Sequence, residues 1–183
     1  VCDKDTRLLT NAFCAGLLQR ALAGEVNIIN SELLLRERGI ELAEEKQRER
    51  GAFASSITAE VSGDDRTVAA SGTLLGHNMP RLVMVDDYRL EAFLDGTLLI
   101  FHHTDVPGII GRVGTVFGRH QVNIAQMAVG RGSHQPGGHA IGVLNLDSLP
   151  PQQALDQVMQ IEPVTRVVVA QLPPVGQLPS WLQ

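Results

Sequence analysis

Apolar side chains near the start of the chain recur every four residues, at Leu9, Phe13, Leu17 and Ala21. Positions four apart lie on one face of an α-helix, so the spacing predicts a helix over residues 5–22. The short apolar segment 26–29 is typical of a strand. A second helix is predicted over residues 32–38, with Asn30 or Ser31 as its N-cap.

The period of the pattern changes to two after residue 52, which indicates strands. The charged run 41–50, just before this change, is typical of a solvated face or loop. Gly63-Asp64-Asp65 supplies turn residues between the first two strands. The predicted strands cover residues 53–61, 67–75, 81–85 and 88–92. The first half of the chain therefore predicts an α+β unit of two helices and four antiparallel strands.

In the second half of the chain, segments with the strand period of two and segments with the helical period follow each other in the order β-α-β-β-α-β. Its predicted elements are strand 97–104, a helix from Pro107, strands 122–129 and 140–146, helix 150–160 and strand 164–170. Pro107 fits the first turn of its helix, where a missing N–H is tolerated and the fixed φ of proline helps. This order predicts a ferredoxin-like sandwich, which assigns the whole chain to the α+β class.

The helix after Pro107 carries two different faces. Its apolar stripe consists of Ile109, Val113, Val116 and Phe117. Its second face carries three glycines, Gly111, Gly114 and Gly118. Each glycine disfavours a helix by roughly 1 kcal/mol relative to alanine. We therefore expect a sheet or a second helix to approach the glycine face closely.

Composition and charge limit the classes of molecule that the protein is expected to bind. The net charge is −5 and the sequence pI is about 5.6, whereas nucleic acid requires a basic surface, so we expect no nucleic-acid partner. No apolar run approaches the roughly 20 residues that cross a bilayer, so no membrane partner is expected. Cys2 and Cys14 suit free thiols in a reducing cytoplasm, where we expect the protein to act. The initial Val1 suggests a piece of a longer chain.

The stretch 102-HHTDVPGIIGRVG-114 concentrates the candidate chemistry. Adjacent strand residues point to opposite faces, so His102 and His103 are poorly placed to share a metal ion, and no metal site is predicted. The glycines fall inside a helix pattern instead of a phosphate-binding turn. No motif supplies a nucleophile or a second carboxylate for His103 and Asp105, so we assign no catalytic residues.

Binding of a small amino acid fits the same stretch. The first amides of the helix after Pro107 are free and carry the positive end of the helix dipole, which attracts a carboxylate. Gly108 lets a ligand approach the backbone, and Asp105 suits an amino group. An ordinary helix cap with exposed polar neighbours is the alternative, and the residues alone leave both open.

Four motifs resemble two known domain families. The segments 103-HTDVPG-108 and 121-QVNIAQMAV-129 are similar to those of the ACT domain, a small amino-acid-sensing module. Upstream, 34-LLRERGI-40 and 71-SGTLLG-76 resemble the intervening, or allosteric substrate-binding, domain of long-form D-3-phosphoglycerate dehydrogenases. The resemblance implies an intervening domain at residues 1–95, an ACT domain at 96–172 and a C-terminal tail at 173–183.

This resemblance implies the C-terminal regulatory part of an NAD-dependent oxidoreductase that converts 3-phosphoglycerate to 3-phosphohydroxypyruvate in serine biosynthesis. In the family, the end product L-serine binds between the ACT domains of two subunits and inhibits at a distance, which implies a homo-oligomer. The implied contacts to L-serine, or to another small amino acid, are His103, Asp105, Pro107, Gly108 and Asn123. An anion or substrate phosphate site of the intervening domain falls on Arg81 and Arg89.

Two other functions stay open. Iron–sulfur L-serine dehydratases carry a similar pair of domains, but they need clustered cysteines that Cys2 and Cys14 do not supply. A stand-alone ACT assembly module that has lost its ligand is the second. The chain lacks the dinucleotide fingerprint and the catalytic histidine of the dehydrogenase. We therefore expect no cofactor and no catalysis in the chain itself, with NAD bound in the catalytic domain of a longer parent.

Overall fold

The computed structural model describes residues 5–19, 21–22, 25–47, 52–132, 137–174, 176–179 and 182. The chain divides into two units, one from Val1–Ser55 with Gly176–Gln183 and the other from Ser56–Val175. One unit can contain more than one family domain, so the boundaries after residues 95 and 172 stay predictions. None of the helices in these ranges is long and apolar enough to cross a membrane.

Two helices form the core of the first unit, α1 at Arg7–Leu18 and α2 at Ser31–Glu37. Cys14 and Leu18 of α1 pack with Leu35 of α2, and all three side chains are buried. Both helices form as the sequence predicts, although α1 is shorter at both ends than the predicted span. Burial of this small apolar cluster holds the two helices together.

The predicted strand at residues 26–29 is wrong, because the segment forms a turn. The side-chain oxygen of Asn27 accepts hydrogen bonds from the backbone N–H groups of Ile29 and Asn30, at 2.9 and 3.1 Å. Asparagine favours such turns because its side chain offers the backbone a local partner. The apolar Ile29 gains no burial there, with 89% of its surface exposed.

The second unit begins with a four-stranded antiparallel sheet. Its strands are β1 (Ser56–Ser62), β2 (Thr67–Leu75), β3 (Met79–Val85) and β4 (Tyr88–Phe93). They lie in sequence order, each paired with the next. The alternating pattern predicted all four strands, and it predicted β2 with the observed bounds. β4 is an edge strand of this sheet.

The second sheet has ferredoxin-like order. Its strands are β5 (Thr97–Thr104), β6 (Ile124–Arg131), β7 (His139–Leu146) and β8 (Val164–Gln171), and its helices are α3 (Ile109–Arg119) and α4 (Gln152–Met159). The antiparallel strands follow the order β6-β7-β5-β8. The apolar stripe of α3 and two residues of α4, Ala154 and Val158, pack on one face of this sheet. The predicted ferredoxin-like unit and the α+β class are confirmed.

The opposite face of the second sheet packs against the first sheet. Leu98 of β5 and Ile141 and Val143 of β7 form a buried cluster with Leu82 of β3 and Ala92 of β4. β7 is consequently covered on both faces, by the helices on one side and by the first sheet on the other. The second unit is therefore layered as helices, sheet and sheet.

A buried asparagine joins the two sheets. Asn145 of β7 is 4% exposed, and its side chain accepts a hydrogen bond from the Phe93 N–H at 3.2 Å. It also donates one to the Phe93 carbonyl at 3.1 Å. The side-chain amide thus satisfies backbone groups on the edge strand β4, which a neighbouring strand would otherwise pair.

Strand β6 approaches β4 at backbone distance. A Cβ atom at Gly130 would lie 3.0 Å from the Arg89 carbonyl oxygen and 3.0 Å from the Tyr88 Cβ. At Gly132 it would lie 3.2 Å from the Tyr88 ring. These distances are shorter than ordinary contacts between carbon atoms, so the close approach of the two strands requires glycine at both positions.

Helix α3 begins two residues after Pro107, so the prediction that Pro107 occupies its first turn is wrong. Gly108 is the N-cap, with φ at +84°. Glycine enters this left-handed region without the penalty that a Cβ imposes. The chain therefore turns sharply between β5 and α3.

The glycine face of α3 is open, contrary to the expected close approach. A Cβ atom at Gly111, Gly114 or Gly118 would meet no atom of the described residues within 4 Å. The predicted apolar stripe of α3 is buried. Within one chain, burial of this stripe alone therefore offsets the low helix propensity of the three glycines.

Candidate functional site

A cavity of about 650 Å³ opens where β5 leads into α3. β5 and β6 are both antiparallel to β7, which lies between them, so their C-terminal ends meet at one edge of the sheet. The residues that line the cavity are His103, Asp105, Val106, Pro107, Gly108, Ile109, Ile110, Val129 and Arg131. Four predicted ligand contacts therefore share one cavity, namely His103, Asp105, Pro107 and Gly108.

His103 is buried in the cavity wall and has one ring nitrogen without a partner. The residue is 2% exposed, and its ring stacks on Phe101 with 5.2 Å between centroids. Nδ1 lies 2.8 Å from the Thr104 carbonyl oxygen, which only accepts, so Nδ1 carries the proton. In the neutral ring Nε2 then holds a lone pair, and this buried atom has no hydrogen-bond partner among the described residues. An unpaired acceptor costs about 1–3 kcal/mol, which a ligand donor would recover.

Asp105 pairs with an arginine across the cavity mouth. Its Oδ2 lies 2.8 Å from Arg131 Nε, and the two side chains are 15% and 52% exposed. The N–H does not point at the oxygen, so the contact is an ion pair without a hydrogen bond. The Asp105 backbone is held by Gly138, whose carbonyl accepts its N–H at 2.8 Å. The backbone that carries this carboxylate is therefore held, and the carboxylate can still accept hydrogen bonds.

The N-terminal end of α3 forms another wall of the cavity. A Cβ atom at Gly108 would meet no atom of the described residues within 4 Å, so the space above this backbone is open. No side chain caps the helix. The first amides of a helix lack intrahelical acceptors and carry the positive end of the dipole. This end of the cavity therefore favours a negatively charged group.

Asn123 lies away from the other predicted contacts. It is exposed and precedes β6, at the opposite end of that strand from Arg131. Its Nδ2 donates a hydrogen bond to the Asp147 carboxylate at 2.6 Å. Within one chain Asn123 does not line the cavity.

Arg131 is a charged residue of the cavity lining that the sequence analysis did not identify. The predicted strand ended at residue 129 and left Arg131 in the following turn, whereas β6 continues through it. Strand alternation then places Val129 and Arg131 on the same face. The sequence did contain a signal for this position, namely the ferredoxin-like strand order. That order places the C-terminal ends of β5 and β6 at the same end of the second sheet.

The two predicted anion-binding arginines share one face of the first sheet. Arg81 pairs with Phe93, and strand alternation places Arg89, Glu91 and Phe93 on the same side of β4. The Arg81 side chain is 15% exposed, with its Nε 3.5 Å from Glu91 and its guanidinium 4.4 Å above the Phe93 ring. Arg89 is exposed. Arg81 is thus already engaged with an anion and an aromatic ring.

His102 points to the opposite face from His103, as strand alternation predicts. Its ring meets Tyr88 edge-on, with 6.2 Å between centroids. Burial, reinforced by the Arg166 cation, lowers the pKa of His102, which keeps the ring neutral at neutral pH. In the ranges that the structure describes, no three His, Cys, Asp or Glu side chains cluster as metal ligands. Cys14 is a buried free thiol whose pKa is raised by burial.

Family models match the two halves of the chain separately. Residues 1–86 match the model described as the D-3-phosphoglycerate dehydrogenase intervening domain, and residues 97–163 match the ACT domain. These matches identify the chain as a D-3-phosphoglycerate dehydrogenase intervening domain followed by an ACT domain. The cavity lies in the ACT domain, and Arg81 lies in the intervening domain.

Named relatives are similar to almost the whole chain. The D-3-phosphoglycerate dehydrogenase of Archaeoglobus fulgidus is 32% identical over 169 residues, which are 92% of this chain and 32% of the relative. That of Methanocaldococcus jannaschii is 34% identical over 168 residues, 91% of this chain and 31% of the relative. That of Bacillus subtilis is 29% identical over 169 residues, with shares of 92% and 32%. The chain spans about a third of the length of these dehydrogenases.

Proposed function

We propose that this chain is the regulatory and oligomer-forming part of a D-3-phosphoglycerate dehydrogenase in L-serine biosynthesis. Its ACT domain would bind L-serine, or another small amino acid, for feedback inhibition. The intervening-domain match and the names of the relatives favour this function over an iron–sulfur dehydratase or a stand-alone assembly module. Under this proposal NAD and the oxidoreductase chemistry belong to another part of a longer cytoplasmic enzyme.

The cavity at the start of α3 is the observation that carries the proposal. His103 Nε2 and the Asp105 carboxylate are acceptors that suit a hydroxyl and an ammonium group. The free end of α3 attracts a carboxylate. These three features together match an amino acid with a short polar side chain.

We infer that Asn123 reaches the ligand from a second copy of the chain. Asn123 is exposed and lies outside the cavity of its own chain, so another copy must present it. In a two-fold dimer the same surface contributes from both copies, which gives two equivalent shared sites. The open glycine face of α3 offers a second copy room to approach closely.

Thermal melting with L-serine tests the ligand. A ligand that binds only the folded state stabilises it by about 2.7 kcal/mol at a hundred times its Kd, so the melting temperature should rise. Asp105→Ala combined with Asn123→Ala should abolish the rise, whereas Asp87→Ala in an exposed turn should keep it. If millimolar L-serine and other small amino acids leave the melting temperature of the unmodified chain unchanged, the ligand assignment is wrong.

Mixing the two single variants tests the shared site. A heterodimer of Asp105→Ala with Asn123→Ala chains contains one site with both native residues and one site with neither. The mixture should therefore regain L-serine binding that each variant lacks alone, at up to one site per dimer. If both residues acted within one chain, mixing would restore nothing.

We also propose that Arg81 and Arg89 bind an anion such as a substrate phosphate. An anion at Arg81 must compete with Glu91, which lies 3.5 Å from its Nε. Glu91→Gln should therefore strengthen binding of inorganic phosphate in calorimetry, and Arg89→Gln should weaken it. Phosphate affinities that stay the same in both variants contradict this site.

A further inference from the structure

The ion pair of Asp105 and Arg131 places both signs of charge in one cavity wall. We propose that Arg131 makes the site selective for ligands with a free α-carboxylate. The ligand ammonium binds Asp105, and the ligand carboxylate binds the Arg131 guanidinium. This inference rests on the proposed amino-acid binding and names the residue that sets its selectivity.

Asp105 needs a cation beside it whether or not a ligand is present. Its side chain is only 15% exposed, and a carboxylate at that depth is costly without a compensating charge. Arg131 supplies this charge within the chain itself, with 2.8 Å between Nε and Oδ2. A ligand ammonium can take over this task, which releases the guanidinium for a second ion pair.

The long side chain of Arg131 has more freedom to rearrange than the short side chain of Asp105. The Arg131 side chain is 52% exposed at the end of β6, and its long stem can move into solvent. The Asp105 backbone is held on both sides, by the Gly138 carbonyl at 2.8 Å and by the Gly137 N–H at 3.1 Å. Opening of the pair therefore moves the cation and leaves the ammonium acceptor in place.

The Arg131 guanidinium also has N–H donors that a ligand can use. In the part of the chain that the structure describes, the charged partner of Arg131 is Asp105, and Nε lies 2.8 Å from its carboxylate. The planar guanidinium fork can bind a carboxylate through two parallel hydrogen bonds. The end of α3 contributes only about half a positive charge, so Arg131 dominates the recognition of the carboxylate.

A comparison of L-serine with L-serinamide tests the selectivity. The two ligands share the ammonium and the hydroxyl group, and the amide replaces the carboxylate. Calorimetry of the unmodified chain should give about 10- to 100-fold tighter binding of L-serine, as expected for hydrogen bonds to a charged group. Arg131→Gln should lower the affinity for L-serine by that factor and leave the affinity for L-serinamide nearly unchanged.

Two further variants keep the test decisive. Arg131→Lys retains the charge beside Asp105 and loses the fork, so its preference for L-serine should be intermediate even if Arg131→Gln folds poorly. Arg66→Gln, in the exposed turn between β1 and β2, is the matched control and should keep the full preference.

The outcomes separate the two proposals. If the unmodified chain binds L-serine and Arg131→Gln retains the preference over L-serinamide, the role of Arg131 is overturned and amino-acid binding stands. Tighter binding of L-serine by Arg131→Gln also overturns it, because Arg131 would then only compete with the ligand for Asp105. If the unmodified chain binds no amino acid, both proposals fail.

Discussion

Two adjacent histidines have opposite surroundings in this fold. His103 lies beside the cavity, and its buried Nε2 has no partner among the residues that the structure describes, which makes it suited to accept a hydrogen bond from a ligand. His102 lies between the two sheets against Tyr88. Strand alternation predicted this separation from the sequence. It could not predict that the Thr104 carbonyl engages Nδ1 of His103, because this contact depends on how the chain turns after β5.

The surroundings of His102 predict a loss of stability at acid pH. Burial, together with Arg166, lowers its pKa below the ordinary 6.5, so the unfolded chain binds this proton more tightly than the folded chain. The neutral His102 ring leaves the fold at full stability while the pH is above the pKa of this ring in the unfolded chain. The free energy of unfolding then declines as the pH falls from that pKa to the lower pKa in the folded chain. His102→Gln should therefore show a smaller drop in the free energy of unfolding between about pH 7.5 and about pH 5.5.

Urea unfolding at the two pH values measures this difference. His77→Gln changes an exposed histidine and is the matched control, which should keep the pH dependence of the unmodified chain. An unaltered pH dependence in His102→Gln would show that this ring is not the source.

The contact of Gly142 with Phe101 predicts a strongly destabilising substitution. A Cβ atom at Gly142 would lie 2.2 Å from two carbon atoms of the Phe101 ring, and that ring is completely buried. Gly142→Ala should lower the free energy of unfolding by about 1–3 kcal/mol through overpacking. Gly63→Ala, in an exposed hairpin turn without such crowding, is the control for urea denaturation. Equal stability of the two variants contradicts this packing.

At the scale of elements, the alternation of apolar and polar residues was enough to predict the strands that bury one face. β2 and β5 have the bounds that the sequence predicts. The segment 26–29 failed because a side-chain hydrogen bond of Asn27, and not the apolar pattern, decides its local structure. The ion pair of Arg131 with Asp105 could not be predicted from the residues around Arg131. It depends on which strands of the sheet end side by side.

The link between β7 and β4 is predicted to depend on Asn145. Asn145→Leu removes both hydrogen bonds to Phe93 and leaves the backbone N–H and carbonyl of an edge strand unpaired. The free energy of unfolding should fall by about 1–3 kcal/mol for each group left unsatisfied. Asn145→Asp keeps an acceptor for the Phe93 N–H but places a buried charge against the Phe93 carbonyl oxygen, so at neutral pH it should lose at least as much in the same denaturation experiment. A fully stable Asn145→Leu variant would contradict the role of this amide.

At the scale of the whole molecule, the family boundary and the compact unit fall in different places. The two family matches meet between residues 86 and 97, inside the unit Ser56–Val175. The intervening-domain sheet therefore shares an apolar core with the ACT sheet. The proposed ACT cavity therefore lies in a compact body that also includes part of the intervening-domain match.

The open glycine face of α3 predicts the site of self-association. Gly114→Arg places a large charged side chain where, outside its own helix, no described residue lies within 4 Å, so it should block the close approach of a second copy. Sedimentation should show the mass falling from that of an oligomer towards the 19.8 kDa of one chain. Gly63→Arg, in the β1–β2 turn, should leave association intact. A monomeric unmodified chain, or a Gly114→Arg variant that still associates, contradicts this interface.

The close approach of β6 to β4 determines how tolerant this strand is to mutation. Val129 and Arg131 face the cavity, whereas Gly130 lies against the backbone of β4 and Gly132 lies against the Tyr88 ring. A saturation scan along β6 should therefore give two alternating phenotypes. Changes at 129 and 131 should alter the ligand response of a folded protein, and changes at 130 and 132 should lower the amount of folded protein. A glycine in this segment of a related sequence consequently reports contact between sheets and carries no information about the ligand.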